Sequence, residues 1–246
     1  MAITSLDDII AGVKTPQFFA KSAVANTSTG RQHSFWGVGG IPGAGSYDTS
    51  LAGVELSSSA SLINGQIPYY NATATKQMHL ARAVGMSSTS GIIFICDRLW
   101  HNGGMTITSN TLQTVNSAPW PARDNNGSIN GEGVLIGVEI STVTGAGTPT
   151  ITLGYTNSDN TSGRTATNQL PTFSTAPIGA FFPIGLQAGD KGVKSIQSIT
   201  LSATWTTGVM NLVAYRVLAV LEQPNSNIGS SVDALTGGLP KLYDGT

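Results

Sequence analysis

The first fourteen residues space their apolar side chains as an amphipathic helix does. The positions i, i+3, i+4 and i+7, which share one helical face, are occupied by Leu6, Ile9, Ile10 and Val13. Thr4 or Ser5 can cap the start, and Pro16 provides a stop signal. A helix this short is not stable alone in water, so we expect its apolar stripe to dock on its own chain or on a neighbouring subunit.

Residues 15–75 show no regular period and contain many glycines and serines. Short apolar pieces, among them Phe18 with Phe19 and Phe35 with Trp36, interrupt this stretch and could anchor an extended chain on a surface. Because a structureless loop of this length is uncommon inside a compact domain, we expect an extended arm with short strands, which could cross a subunit boundary.

From residue 77 onward, short apolar or alternating segments are separated by Gly, Asn and Pro, a pattern typical of a β-sandwich or barrel. The predicted strands are 77–84, 92–98, 105–111, 134–142, 150–156, 180–186, 195–204 and 209–221. Within 195–204, even-numbered positions are predicted to form a polar face and odd-numbered ones an apolar face. The segment 205–208 reads as a hairpin turn between the last two strands.

These elements predict an all-β fold, an antiparallel, jelly-roll-like β-sandwich with a short N-terminal helix and an extended N-terminal region. We divide the chain into a helix and arm (1–76), a β-sandwich domain (77–222) and a C-terminal tail (223–246). A short helix at 231–235 is expected within the tail.

The last predicted strand is apolar on both faces, and Arg216 is its only charged residue before position 222. Such a strand needs cover on both faces. One face can meet the second sheet, and the N-terminal segment or another subunit can cover the other. We therefore expect a homo-oligomer, a trimer in the first instance, with Arg216 at an interface and paired with Asp97 or Glu139.

The low charge content indicates the kind of surroundings in which the chain functions. Only 10% of residues are charged, where soluble domains average about 25%, and the net charge is −1. A neutral hydroxyl- and amide-rich surface packs against neighbours with little desolvation of charge, which favours an assembly component. The balance of 12 basic and 13 acidic residues provides no basic footprint for nucleic acid, and no apolar run is long enough to span a membrane.

Motifs for catalysis or for cofactor binding are not evident, so we expect no enzymatic activity and no cofactor. Cys96 lies near Asp97 and His101, but it follows an apolar run and is expected to be a buried, unreactive core residue. The three histidines lack the spacing of a metal site. A hydrolase with an unrecognised carboxylate pair remains an alternative.

Two further segments allow two interpretations each. The oxygen-rich stretch 124–132 is expected to be a solvated turn, with a weak calcium site as the alternative. Trp120 stands between Pro119 and Pro121, in an extended segment that could form a wall of the core or a strap at an interface.

Several segments resemble a group of virion structural proteins of tailed bacteriophages, and the likeness extends over most of the chain. The segments are CDRLWHN (96–102), WPARD (120–124), YTN (155–157), GRTAT (163–167), GVKSIQS (192–198) and LVAYR (212–216). None of them is a catalytic signature.

This resemblance implies a virion component. The size and predicted β content of the chain are most similar to those of capsid decoration, or cement, proteins. Proteins of that kind are often trimeric β-sandwiches on the outer capsid that hold major capsid proteins together. The expected partners are therefore the major capsid protein and further copies of the chain, at the capsid surface. The alternative is a tail, neck or adhesion component that binds a receptor or glycan, which would expose clustered Trp and Tyr side chains.

Overall fold

The computed structural model describes residues 5–22, 31–56, 65–67, 76–169 and 175–243. These residues form one helix, α1 (Leu6–Gly12), followed by strands. In chain order the strands are β1 (Ala20–Lys21), β2 (Gln32–His33), β3 (Gly40–Ile41), β4 (Val54–Glu55), β5 (Met78–His79), β6 (Arg82–Gly85), β7 (Gly91–His101), β8 (Gln113–Thr114), β9 (Leu135–Thr142), β10 (Thr150–Asn157), β11 (Arg164–Gln169), β12 (Ala180–Ile184), β13 (Val193–Leu201), β14 (Val209–Gln223), β15 (Ser230–Asp233) and β16 (Lys241–Leu242). The predicted all-β class and the short N-terminal helix are confirmed.

Two antiparallel sheets share one hydrophobic core. The larger sheet has the strand order β2-β12-β9-β14-β7-β4, and the smaller sheet has the order β11-β10-β13-β8. Buried side chains of the two sheets belong to one cluster, which includes Ile136, Val138 and Leu212 of the larger sheet and Ile151, Leu153 and Ile199 of the smaller one. The architecture is thus sandwich-like, as the alternating segments predicted.

Strand β13 departs from simple alternation. Its pairing with β10 shifts register twice, so Gln197 and Lys194 are extra residues relative to the partner strand. These bulges bring Val193, Ile196 and Ile199 into the core at three-residue spacing. The prediction that Ile196 lies on a polar face was therefore wrong, because it assumed an unbroken period of two.

The N-terminal arm contributes edge strands to the larger sheet. β2 pairs with β12, and β4 pairs with β7 at Trp100 and His101. Between them, Trp36 packs edge-to-face on His101, with the ring centroids 5.6 Å apart. The arm therefore covers part of the outer face of the larger sheet. The division at residue 76 stays a prediction, and residues 57–64 and 68–75 of the predicted arm lie outside the described residues.

The C-terminal segment pairs with the region before β7. β15 pairs with β6, and β16 pairs with β5. The single strand predicted over 77–84 is thus two short strands with different partners. The helix predicted at 231–235 was wrong, because β15 occupies its first part and a turn follows in which the Asp233 carboxylate accepts from the N–H groups of Leu235 and Thr236.

Two further predictions were wrong in the region of the core. Residues 105–111 do not form a strand, although Met105 and Ile107 are buried. The Gln113 side chain hydrogen-bonds to both the N–H and the carbonyl of Thr106, which are the groups that a partner strand would otherwise pair with. The segment 205–208 is not a hairpin turn, since β13 and β14 belong to different sheets. In the described part of the chain, no helix has the length and apolarity to cross a membrane.

Candidate interaction surfaces

The helix α1 forms as predicted, and its apolar stripe faces solvent. Ser5 is the N-cap: its hydroxyl accepts from the Asp8 N–H, and the Asp8 carboxylate accepts from the Ser5 N–H, which together make a capping box. Thr4, the alternative cap, lies outside the described residues. The stripe residues Leu6, Ile9, Ile10 and Val13 are all exposed. The described residues therefore leave the stripe uncovered.

A second apolar surface lies where β7 and β14 extend beyond their neighbours. β9 pairs with β14 only as far as Tyr215, so residues 216–223 of β14 and 91–97 of β7 continue as a two-stranded ribbon. One face of the ribbon is covered by β6 and β15, with Leu221 buried beneath them. The opposite face exposes Ile92, Phe94, Cys96 and Val220, and we call these four residues the ribbon face.

Cys96 was predicted to be buried in the core, and this was wrong. Its side chain is exposed on the ribbon face, because the ribbon continues past the strands that cover the sheet. The packed atoms around its sulfur and the adjacent Asp97 carboxylate nevertheless raise the pKa of the thiol to about 12. Cys96 is therefore an accessible thiol that stays protonated at neutral pH.

A third group of apolar side chains is exposed in the arm, Phe18, Phe19, Phe35 and Ile41, and we call this group the aromatic patch. The Phe19 and Phe35 rings are edge-to-face with centroids 6.2 Å apart, and Ile41 lies opposite Ala20 in the β1–β3 pair. Of the apolar pieces predicted as possible anchors of the arm, Trp36 is buried, whereas Phe18, Phe19 and Phe35 are exposed.

Lys21 fixes the backbone behind the aromatic patch. Its ammonium group donates to the carbonyls of Val38, Pro42 and Gly43 at 2.8, 2.7 and 3.1 Å. The same group lies 5.6 Å from the centre of the Phe19 ring. One side chain thus ties β1 to the loop around β3, and the patch is held in a defined shape.

Arg216 was expected at an interface, and it lies inside the single chain. Its Nη2 donates to Asp97 Oδ2 at 3.1 Å, and its Nη1 donates to the Lys241 carbonyl at 2.9 Å. Arg123 Nη2 lies 3.2 Å from the other Asp97 oxygen, and all three side chains are almost completely buried. The pairing of Arg216 with Asp97 is one of the two that the sequence predicted. Its role is to join the sheet to the C-terminal strand β16.

Trp120 was also a candidate interface residue, and like Arg216 it is buried. It forms a wall of the hydrophobic core. Its ring centroid lies 5.1 Å from that of Trp100, and its indole N–H donates to the Val193 carbonyl at 2.6 Å. Trp36, Trp100, Trp120 and Trp205 are all buried. Of the two interpretations of the segment around Trp120, the structure shows the core wall.

A buried ion pair sits under the arm on the outer face of the larger sheet. Arg98 Nη1 lies 2.6 Å from Glu139 Oε2, and the Tyr47 hydroxyl donates to Glu139 Oε1 at 3.1 Å. Arg98 Nε also donates to His101 Nδ1 at 3.1 Å. Burial and the adjacent Arg98 cation lower the pKa of His101 to about 3, and burial and Glu139 raise the pKa of Tyr47. The cluster joins the arm to the sheet with Glu139 as its charged centre.

The stretch 124–132 forms a turn around a buried carboxylate. Asp124 accepts from the backbone N–H groups of Asn126, Ser128, Gly131 and Glu132 and from the Ser128 hydroxyl. These bonds lower the pKa of Asp124 against the opposing effect of its burial. Because the oxygens of Asp124 accept hydrogen bonds from these donors, its carboxylate stabilises the turn and is not arranged to bind a calcium ion. Among the described residues, no group of three or more His, Cys, Asp or Glu side chains is placed to hold a metal ion.

Comparison with known proteins adds no relative: no protein-family model, no curated protein and no solved structure matches the chain.

The sequence indicated the α1 stripe but not the other two surfaces. A signal for the ribbon was present, since the predicted strand 209–221 is longer than the strand 134–142 that pairs beside it.

Proposed function

We propose that this chain is a non-enzymatic structural protein of a tailed-bacteriophage virion, a capsid decoration protein that strengthens the head by bridging major capsid subunits. The observation that carries the proposal is the aromatic patch, a group of exposed apolar side chains in which the Phe19 and Phe35 rings are in contact. Exposed apolar clusters on soluble proteins commonly mark sites of protein association. The resemblance to phage virion proteins supports the choice of partner.

The chemistry of the patch favours a protein partner. Phe18 is 69% exposed, and its neighbours Phe19, Phe35 and Ile41 are exposed aromatic or aliphatic side chains. Aromatic rings bury large areas at protein interfaces and lose little conformational entropy there. Lys21 is occupied by backbone carbonyls, so its charge is already solvated when the patch docks.

The body behind the patch is suited to bearing load. Arg98 with Glu139, and Arg216 with Asp97, are buried ion pairs that join distant parts of the chain. Substitution of one partner of such a pair would leave a buried uncompensated charge, so each pair constrains how the segments it joins can pack. A decoration protein that transmits force between capsid subunits needs this resistance. A homotrimer would present three patches at once, and the avidity of three linked sites exceeds the affinity of one.

A receptor- or glycan-binding role is supported less well. A tryptophan platform for sugar rings requires exposed indoles, and all four tryptophans of this chain are buried. This observation favours the head-decoration proposal over an adhesion module that relies on such a platform.

Binding to heads that lack the protein tests the proposal. Purified chain is mixed with such heads and separated from them by sedimentation, using the parent protein and a double variant, Phe18→Ser with Phe19→Ser. We expect the parent to co-sediment and the variant to lose binding while its circular dichroism spectrum is unchanged. Leu112→Ser is the matched control, since Leu112 is equally apolar and exposed but lies outside the patch. A parent protein that does not bind, or a double variant that binds as well as the parent, would contradict the proposal.

A further inference from the structure

We propose that α1 of one copy of this chain packs on the ribbon face of a second copy. The two surfaces are the stripe of α1 and the ribbon face, and the side chains of both are exposed. Leu6 is 70% exposed and Ile10 65% on the helix, while Ile92 is 59% exposed and Phe94 47% on the ribbon.

Neither element is of a kind that is stable without tertiary contacts. α1 has seven residues, and isolated helices shorter than about 12 residues are marginal in water. The ribbon is covered by β6 and β15 on one face only, and an exposed apolar strand face tends to associate. Covering either surface with the other would therefore stabilise both elements.

The two surfaces agree in size. The stripe from Leu6 to Val13 is about 10 Å long at 1.5 Å per residue. The ribbon face from Ile92 to Cys96 is about 13 Å long at 3.3 Å per residue, and two strands are together about as wide as one helix. A single helix lying along the ribbon would thus cover the exposed apolar side chains of both strands.

The charges at the ends set the direction of the helix. Glu222 is exposed and lies opposite Ile92 in the β7–β14 pair, so both side chains are on the ribbon face at the same end. Lys14 directly follows the stripe of α1 and is also exposed. Attraction between Lys14 and Glu222 places the C-terminal end of the helix near Ile92. The N-terminal end, with Leu6, then lies near Cys96.

A second copy is the occupant because every copy supplies both halves of this contact. In the single chain, none of the described residues of α1 is buried. The contact joins two different surfaces, and repeated contacts of this type form a symmetric ring when the rotation between copies closes and a filament when it does not. The inference concerns the isolated protein, so it stands or falls independently of any capsid role.

The single native cysteine makes the contact directly testable. Because the Cys96 thiol is protonated at neutral pH, Leu6→Cys is oxidised with a copper catalyst at alkaline pH and micromolar concentration, and the products are separated on a non-reducing gel. We expect covalent dimers or larger species from Leu6→Cys. We expect them neither from Asp7→Cys, about 100° around the helix from Leu6 and outside the stripe, nor from Leu6→Cys combined with Cys96→Ser.

Light scattering of the parent protein and of Phe94→Ser completes the test. We expect the parent to be oligomeric and Phe94→Ser to be monomeric with an unchanged circular dichroism spectrum. A disulfide within one chain would overturn the inference by showing that α1 covers its own ribbon. Absence of cross-linking, equal cross-linking from Asp7→Cys, a monomeric parent or an oligomeric Phe94→Ser variant would each overturn it as well.

Discussion

Arg216 of β14 and Asp97 of β7 lie opposite each other in the larger sheet, with 3.1 Å between Nη2 and Oδ2, and both side chains are buried. The same carboxylate also balances Arg123, 3.2 Å from its other oxygen. One negative charge thus holds two guanidinium groups at the centre of the fold, where β7, β14 and the segment around Arg123 meet.

Replacing Asp97 by Asn should therefore destabilise the protein strongly. The neutral amide would remove the negative charge that both buried guanidinium groups contact, and breaking a buried ion pair costs about 3–5 kcal/mol. Urea unfolding followed by tryptophan fluorescence would measure the change in the free energy of unfolding. Asp159→Asn is the control, because Asp159 is exposed, and it should change that free energy by less than about 0.5 kcal/mol. A similar, small change in the free energy of unfolding for both variants would show that the Asp97 cluster contributes little to stability.

His101 should make the folded protein sensitive to mild acid. Its pKa falls from 6.5 to about 3 because burial and Arg98 disfavour the imidazolium ion. In the unfolded chain it takes up a proton near pH 6.5, so the free energy of unfolding should decrease as the pH falls from 6.5 towards 4.5. His101→Gln should flatten this slope. A slope that is unchanged in His101→Gln would assign the acid sensitivity to other groups.

Cys96→Ser should be nearly neutral for stability. The side chain is exposed on the ribbon face, so the serine hydroxyl can bond to water and no buried polar group is left without a partner. We expect a change below about 0.5 kcal/mol in the free energy of unfolding of a dilute monomeric variant such as Phe94→Ser. A loss of 1 kcal/mol or more in that background would indicate that the thiol is packed in the interior after all.

Deleting residues 1–14 should leave the β-sandwich folded. None of the described residues of α1 is buried, and the core cluster draws its members from residue 99 onward. The far-ultraviolet circular dichroism spectrum and the melting temperature of the deletion variant, compared at a concentration where the parent is monomeric, should match those of the parent. Loss of the β signal would mean that the helix belongs to the core.

The sequence predicted best those features that depend on local pattern. The stripe from Leu6 to Val13, the capping by Ser5 and most of the long strands follow from spacing and residue type alone. β11 was missed because its residues, Arg164–Gln169, are mostly polar, and only its pairing with β10 makes it a strand. The arm strands have two residues each and carry too little pattern to be recognised.

The exposure of surface residues depended on contacts between distant parts of the chain. Cys96 lies in an apolar run, and only the end of the β9 pairing at Tyr215 explains why its side chain is exposed. The reverse holds for Arg216, whose charge suggested an interface but whose partners, Asp97 and the Lys241 carbonyl, come from the same chain. Neither relationship can be derived from residue type at one position.

The number of copies per virion, measured by quantitative gel of purified particles against the major capsid protein, tests the central claim most directly. A decoration protein that bridges capsid subunits should be present in numbers comparable to those of the capsid hexamers or threefold positions. The account predicts such a high and fixed ratio, together with loss of the band when the Phe18→Ser and Phe19→Ser changes are introduced into the phage. A few copies per particle would instead indicate a tail or neck component, and absence from the virion would contradict the proposal entirely.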